Sequence, residues 1–274
     1  MKTIKSQVAL FALLMAAGFA SPGYAADAPS FTAGGKLIVC VDPTFPPMEY
    51  MEQADAKEPV GADIEVIDAL ANHWKVQKQL VMLDFSGLLP ALEAKRCDMM
   101  ISGATLKAER LEKFGGTPYL KTGNVVVGKS DASGSYAAWT DFSGKTLAMQ
   151  AGTVFEKIIA KANEELKAAG KPEIKVQTYP KGTDVVQQVL LGRVDGGVTL
   201  DSEYAFRELQ KPGELKVIFT DPEKQQYGAY FRKEPARDQA AVDAAIKELL
   251  ASGAIKSIAD KWKLPAGAAE GVGQ

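Results

Sequence analysis

The residues of this chain that could bind a ligand lie just after its predicted β-strands. The apolar run at 37–41 reads as a buried strand, and the Pro-Pro pair beyond it must end the strand because proline has no N–H to donate. Open α/β sheets bind ligands at the carboxyl ends of their strands. The candidate site residues found there, or one helical turn further on, are Asp42, Phe45, Phe85, Ser102, Gly103, Thr105, Arg110, Gly152, Thr153 and Asp201.

Taken together, these residue types suit a zwitterion. An arginine pairs bidentately with a carboxylate, and the free N–H groups at helix starts favour anions. Asp201 would hold an ammonium, and Phe45 and Phe85 would form aromatic walls. Each residue also has a purely structural interpretation. The two phenylalanines could belong to the core, Thr105 and Asp201 could cap helices, and Arg110 could be a solvated helix charge.

Other chemistries fit this chain poorly. His73 is the only histidine, which excludes histidine-based metal clusters and Ser-His triads. The stretch 123–130 matches the phosphate-loop pattern GxxxxGK[ST], but its three consecutive valines are strand formers and a turn-rich loop follows where a helix is needed. We therefore predict a strand at 124–128, no metal site and no cofactor.

The first 25 residues form a predicted secretory signal peptide. Two lysines precede an apolar stretch at 8–20, and residues 23–25 fit a cleavage site, so the mature chain should begin at Ala26. The apolar stretch is too short to span a bilayer. We expect a soluble protein in the periplasm.

Charge and cysteine content limit the possible partners and cross-links. Lys and Arg number 32 and Asp and Glu 34, with a formal net charge of −2. No basic run carries interleaved aromatics, so no nucleic-acid partner is expected.

Two cysteines in an exported protein invite a disulfide. We nevertheless favour two buried thiols, since parallel neighbouring strands would place Cys40 and Cys97 at opposite ends.

Strands alternate with helices along the chain, which predicts mainly parallel sheets flanked by helices. The segments "LEAKRCDMMISG" (92–103) and "LLGRVDGGVTLD" (190–201) repeat the order helix, basic residue, Asp, strand, which favours two lobes of similar build. Further strands are predicted at 80–83, 99–102, 146–149, 174–177, 196–200, 215–219 and 227–231. Helices are predicted at 62–74, 86–94 with Ser86 as N-cap, 108–113, 154–168, 184–191, 202–209, 235–252 and 254–262.

Eight stretches resemble the periplasmic amino-acid-binding proteins of ABC importers, the polar amino-acid type of solute-binding protein family 3. They run in family order through nearly the whole chain: "VDPTFPPMEY", "GADIEVIDALA", "LDFSGLLPALEAKRCDMMISGATLKAERLEKF", "PYLKTG", "GKTLAMQAGTVFEK", "VLLGRVDGGVTLDS", "QQYGAYFRK" and "IKSIADKWK". The resemblance implies the two-lobed α/β periplasmic-binding-protein fold of type II. Each lobe is then a mainly parallel sheet flanked by helices, and two hinge strands join the lobes.

The resemblance also implies how the chain divides. Lobe 1 would comprise residues 26–123 and 225–264, and lobe 2 residues 124–224. The hinge would lie near 120–124 and 225–227. Residues 265–274 are expected to form a disordered tail.

For the ligand's backbone groups, the resemblance implies specific partners. Arg110, Thr105 and the backbone of Gly103 would hold the α-carboxylate, which Thr153 would reach from the second lobe. Asp201 would hold the α-ammonium.

For the ligand's side chain, the resemblance implies that Phe45 and Phe85 flank it and that Asp42 faces its polar end. Gln150 occupies a position that varies with the ligand. If Asp42 is a free carboxylate there, the side chain should donate hydrogen bonds, and acidic side chains should be disfavoured. Lys107 stands where the family usually has threonine and adds a cation near the carboxylate.

The function implied is capture of a polar L-amino acid by cleft closure, without catalysis, and delivery to the membrane permease of an ABC importer. The protein would act as a monomer. One alternative is an enzyme resembling the cyclohexadienyl dehydratases, which have the same fold, with Glu203 as general acid. Another is a periplasmic sensor.

Overall fold

The computed structural model describes residues 28–134 and 136–274. The predicted signal peptide and its cleavage site lie outside these residues. None of the helices in the described part of the chain is both long enough and apolar enough to cross a membrane.

Strands and helices alternate through most of the described chain. The strands are β1 Lys36–Val41, β2 Thr44–Phe45, β3 Glu49–Tyr50, β4 Gln77–Met82, β5 Met99–Met100, β6 Phe114–Lys129, β7 Thr146–Gln150, β8 Lys175–Tyr179, β9 Gly196–Leu200 and β10 Leu215–Arg232. The helices are α1 Ala62–His73, α2 Phe85–Glu93, α3 Ala108–Leu111, α4 Phe155–Ala168, α5 Gly182–Leu190, α6 Asp201–Gln210, α7 Ala236–Ala251 and α8 Ala254–Lys261.

One eight-stranded sheet, in the order β4-β1-β5-β10-β6-β9-β7-β8, runs through both halves of the molecule. In the first lobe β1 pairs in parallel with β4 and β5, and in the second lobe β7 pairs in parallel with β8 and β9. The long strands β6 and β10 pair antiparallel with each other along their length and belong to both halves. The predicted two-lobed α/β fold, with two strands joining the lobes, is confirmed.

The first strand ends where the sequence predicts. Five of its six residues are apolar, and it stops at Asp42, before a short hairpin of β2 and β3 that contains Pro46 and Pro47. Helix α1 starts after Gly61, whose φ of 141° belongs to the region that favours glycine. A Cβ on Gly61 would lie 2.1 Å from the carbonyl oxygen of Met48, so only glycine lets the helix start this close to the hairpin.

Several predicted elements differ in their bounds, and two of these differences have a clear physical cause. The separate strands predicted at 215–219 and 227–231 form one strand, β10, because the polar residues between them also pair with β6, with irregularities in register. Ser86 is not the N-cap of α2. Asp84 occupies that position with extended backbone, and the helix begins at Phe85. Pro90 then lies beyond the first turn, so the helix lacks one of its i→i−4 hydrogen bonds.

The expectation of two free thiols is wrong. Cys40 and Cys97 form a disulfide, with their Cα atoms 5.7 Å apart. Cys40 pairs with Met100 in the β1–β5 register, and Cys97 lies in the connection from α2, before that two-residue strand begins. The expectation placed the two cysteines at opposite ends of parallel neighbouring strands, whereas Cys40 lies opposite Met100 and the connection from α2 brings Cys97 beside it.

Residues 265–274 form no helix or strand, yet they are held against the long strands. The N–H of Lys121 on β6 donates to the carbonyl of Ala268 at 2.6 Å, and the N–H of Gly273 donates to the side chain of Gln226 on β10 at 2.7 Å. Ala268 is buried in the main apolar core. These contacts differ from the expected disordered tail. Small residues here fit against a strand pair, which composition alone could not indicate.

Candidate functional site

A pocket lies between the two lobes, and most of the predicted site residues line it. From the first lobe come the wall residues Phe45, Phe85, Ser102, Gly103, Thr105 and Arg110, and from the second come Gln150, Thr153, Val154, Phe155 and Leu200. Eight of these are among the eleven that the sequence nominates. Asp42, Gly152 and Asp201 are adjacent to the pocket but not part of its lining.

Arg110 brings a positive charge to this pocket. It lies on the short helix α3, and its guanidinium carbon is 5.9 Å from the ring centroids of both Phe85 and Tyr230. The guanidinium donates two long hydrogen bonds, each 3.3 Å, to the carbonyls of Thr105 and Gly152. Among the described residues, no carboxylate lies within 4.0 Å of it. The aromatic faces therefore fix an arginine that still lacks an anionic partner.

The helix start of α4 faces the same pocket. Val154 and Phe155 line it, and Thr153 precedes them. The hydroxyl of Thr153 donates to the carbonyl of Gln150 at 2.7 Å, so only its lone pairs and the backbone N–H remain for a ligand. Thr105 differs, because its hydroxyl makes no side-chain hydrogen bond within the described part of the chain. Its carbonyl accepts from Tyr230 at 2.7 Å.

Gly103 has a different role from the one expected. Its N–H donates to the carboxylate of Asp63 at 2.6 Å and so cannot hold a ligand carboxylate. Only the carbonyl of Gly103 remains for a ligand. The carboxyl of Glu49, behind this wall, accepts from the hydroxyl of Ser102 at 2.8 Å. Burial, and then the neighbouring Asp63, raise the pKa of Glu49 well above its usual value.

Asp42 is not the free carboxylate that the sequence predicted. Its Oδ2 accepts from the amide Nε2 of Gln150 at 2.6 Å, and further hydrogen bonds come from Thr44 and from the N–H of Phe85. Burial outweighs these hydrogen bonds and raises the pKa of Asp42 to about 6. The sequence could not reveal this partner, because Gln150 is 108 residues away and belongs to the other lobe.

Asp201 begins α6, directly after the pocket residue Leu200. One of its carboxylate oxygens accepts from the hydroxyl of Thr122 on β6 at 2.8 Å. The carboxylate has no Lys, Arg or His within 4.0 Å among the described residues. Asp201 thus retains an oxygen with which it can accept from an ammonium.

Several contacts close the lobes over the pocket. Besides the Asp42–Gln150 hydrogen bond, Gly182 donates its N–H to the hydroxyl of Thr44 at 3.2 Å, and Glu109 pairs with Lys157 at 2.5 Å. Gly152 lies so near α2 that a Cβ there would be 2.9 Å from the Cα of Ser86.

Two further expectations about charged residues can be compared with the structure. Lys107 donates to Gln225 on β10 and does not reach Asp42. Glu203 is buried, but it accepts twice from Arg207 at 2.7 and 3.1 Å and once from Thr199 at 2.5 Å, and it does not line the pocket. No cluster of three potential metal-ligating side chains occurs in the described ranges.

The sequence did not nominate Val154, Phe155 or Leu200. Val154 and Phe155 open the helix after β7, and Leu200 is the last residue of β9. Their positions at the carboxyl ends of strands could have identified them. Their apolar side chains instead favoured assignment to the core.

Comparison with known proteins supports the likeness seen in the sequence. Residues 37–265 match the model of the bacterial extracellular solute-binding proteins, family 3. The L-cystine-binding protein TcyJ of Escherichia coli (strain K12) is 26% identical over 230 residues, 83% of this chain and 82% of the relative. The ABC transporter arginine-binding protein 1 of that strain is 28% identical over 245 residues, 85% of this chain and 94% of the relative.

Solved structures agree with this relationship. An ancestral arginine-binding protein bound to arginine matches with a TM-score of 0.74 at 28% identity, covering 83% of this chain and 98% of that one. The family model spans both lobes, and the long shared strands β6 and β10 fall within it. The chain belongs to family 3 of the bacterial extracellular solute-binding proteins.

Proposed function

We propose that this protein captures an L-amino acid between its lobes and presents it, in the closed form, to the permease of an ABC importer. The main support is Arg110, a guanidinium that is fixed by two aromatic rings in an interlobe pocket and has no carboxylate partner among the residues that the structure describes. Relatives named for cystine and arginine support the amino-acid class. The family supports the periplasm as the location, and we further propose a monomer.

In this proposal Arg110 and the hydroxyl of Thr105 hold the ligand's α-carboxylate, with the N–H groups at the start of α4 beside Thr153. Charge-assisted hydrogen bonds of this kind are about twice as strong as neutral ones. Asp201 accepts from the α-ammonium, oriented by its hydrogen bond from Thr122. The ligand side chain lies between Phe45 and Phe85.

Opening would occur by bending of the two long strands. We retain the hinge near 120–124 and 225–227, with lobe 1 at 26–123 and 225–264 and lobe 2 at 124–224. The hydrogen bonds between Asp42 and Gln150 and between Thr44 and Gly182 would break on opening, because each joins one lobe to the other. Closure then excludes water and strengthens the ligand's ion pairs.

Binding without catalysis fits the site better than the dehydratase alternative. The acid proposed for that reaction, Glu203, is already paired with Arg207 and does not line the pocket. Prephenate and arogenate should therefore remain unchanged when incubated with the protein. Turnover that disappears in Glu203→Gln would overturn this preference.

Calorimetry of the ligand-free protein against the twenty amino acids tests the proposed function. At least one should bind with a Kd of about 1 μM or tighter, or about −8 kcal/mol. Arg110→Ala should weaken that binding by about 2–5 kcal/mol, since it leaves a carboxylate unpaired in the closed pocket. Lys113→Ala removes an exposed positive charge three residues further on and serves as the matched control. Wild-type affinity in Arg110→Ala, or no binding by any of the twenty, would contradict the proposal.

A further inference from the structure

The charged groups around the pocket bear on which amino acid it accepts. Under the proposed function, Arg110 and Asp201 are used by the ligand's α-carboxylate and α-ammonium. The question is then whether any charge remains for the side chain. Asp42, the carboxylate expected at the side-chain end, is 2% exposed and lies outside the pocket lining.

Gln150 separates Asp42 from the pocket. Its amide nitrogen lies 2.6 Å from Oδ2 of Asp42 and 3.0 Å from the carbonyl of Pro180, so both of its N–H groups are used. Two acceptors on different segments fix the amide in this orientation. The face that Gln150 turns to the pocket therefore offers no free donor, and the carboxylate behind it is already satisfied.

Two other titratable groups close to the pocket already have partners. Lys107 donates to Gln225, away from the pocket. Glu49 accepts from Ser102 behind the wall and does not line the pocket. Much of the pocket lining is apolar: Phe45, Phe85, Val154, Phe155 and Leu200.

We propose that this site selects amino acids whose side chains carry no net charge, and that the Gln150–Asp42 hydrogen bond is the determinant. The inference rests on the proposed function and makes it more specific. A guanidinium or ammonium side chain would lose its water on closure and find no anion among the described residues that line the pocket, which is costly for a charge. A carboxylate side chain would likewise find no cation in that lining besides Arg110, which the α-carboxylate uses. This selectivity would distinguish the protein from its relatives named for arginine.

Matched ligands test the inference. We would measure Kd by calorimetry for three pairs that differ in charge more than in size: citrulline and arginine, methionine and lysine, glutamine and glutamate. In each pair that binds, the neutral member should be at least about tenfold tighter. A tighter charged member in any pair would overturn the inference and leave the proposed function intact. If none of the twenty amino acids binds, the proposed function itself fails.

Gln150→Leu tests the determinant by uncovering Asp42 with a side chain of similar size. The ratio of arginine to citrulline affinity should rise at least about tenfold relative to wild type. The rise in this ratio should disappear in the double variant Gln150→Leu, Asp42→Asn, because the uncovered residue at position 42 then carries no charge. An unchanged ratio in a variant whose thermal melt matches that of wild type would exclude the hydrogen bond as determinant. The comparison of paired ligands on the wild type does not depend on this variant folding.

Discussion

At the scale of the residue, the environment of a carboxyl decides its role more than its position in the sequence. Asp42 and Asp201 both follow strands in the same manner, but Asp42 accepts hydrogen bonds from both lobes, whereas Asp201 accepts one side-chain hydrogen bond, from Thr122 on β6. Both residues were predicted from their type and place. The hydrogen-bond partners of each carboxylate were not predicted, because those partners are distant in sequence.

The pH dependence of stability should report the burial of Asp42. Its pKa of about 6 in the folded protein, against the usual 3.8, means that the folded state binds the proton more tightly. The stability that this proton contributes is complete below about pH 4 and is lost as the pH rises through 6. The loss amounts to about 3 kcal/mol.

Urea unfolding at pH 4 and pH 7.5 measures this loss. Over that interval the wild type's free energy of unfolding should fall by about 2 kcal/mol relative to that of Asp42→Asn, which cannot titrate; the fall is short of the full value because the unfolded-state carboxyl is already partly ionised at pH 4. Asp55→Asn makes the same change at an exposed site and should follow the wild type. If the stability of wild type and of Asp42→Asn changes with pH in the same way, the raised pKa of Asp42 is refuted.

At the scale of the element, apolar periodicity was a good guide wherever one face is buried. It located α1 within one residue at its end, and it gave β9 and its neighbour α6 nearly in full. It failed where pairing is decided by another strand, as in the polar middle of β10, and where a helix start depends on backbone geometry, as at Asp84. The disulfide was missed for a similar reason, since the path from α2 to β5 is a tertiary feature.

Removing that disulfide should cost stability but leave the pocket intact. Cys40 and Cys97 close a loop with a sequence separation of 57 residues, which in the chain-entropy model corresponds to about 4 kcal/mol. Cys40→Ala with Cys97→Ala should lower the free energy of unfolding by up to that amount in a denaturant titration. Neither residue lines the pocket, so affinity for the ligand should stay within about twofold of wild type. A large loss of affinity with unchanged stability would mean that the disulfide shapes the pocket and does not stabilise the fold.

At the scale of the whole molecule, the site exists only because the lobes meet. Two residues hold Asp42 and Arg110 from the opposite side: Gln150, which ends strand β7 of the second lobe, and Gly152, which follows it. The sequence could assign each residue to a lobe, but not the register in which the lobes close. The same limit applies to the C-terminal segment 265–274, whose position follows from contacts with the strands that both lobes share.

Deletion of residues 265–274 tests what the segment does there. Lys121 and Gln226 are a cross-strand pair of β6 and β10, and the segment hydrogen-bonds to both. At about 1 kcal/mol for each hydrogen bond, the deletion should lower the free energy of unfolding by about 2 kcal/mol. Hydrogen exchange gives the more specific result, because the amide of Lys121 loses its acceptor, the carbonyl of Ala268, and should exchange faster.

A shorter deletion, of residues 271–274, is the control for that measurement. It removes the hydrogen bond from Gly273 to Gln226 and keeps the one from Lys121 to Ala268, so the amide of Lys121 should remain protected. If closure bends the strands at this pair, the longer deletion should also speed ligand release, since it frees both strands. Unchanged protection of Lys121 after deletion of 265–274 would mean that the segment does not restrain the strands that connect the lobes.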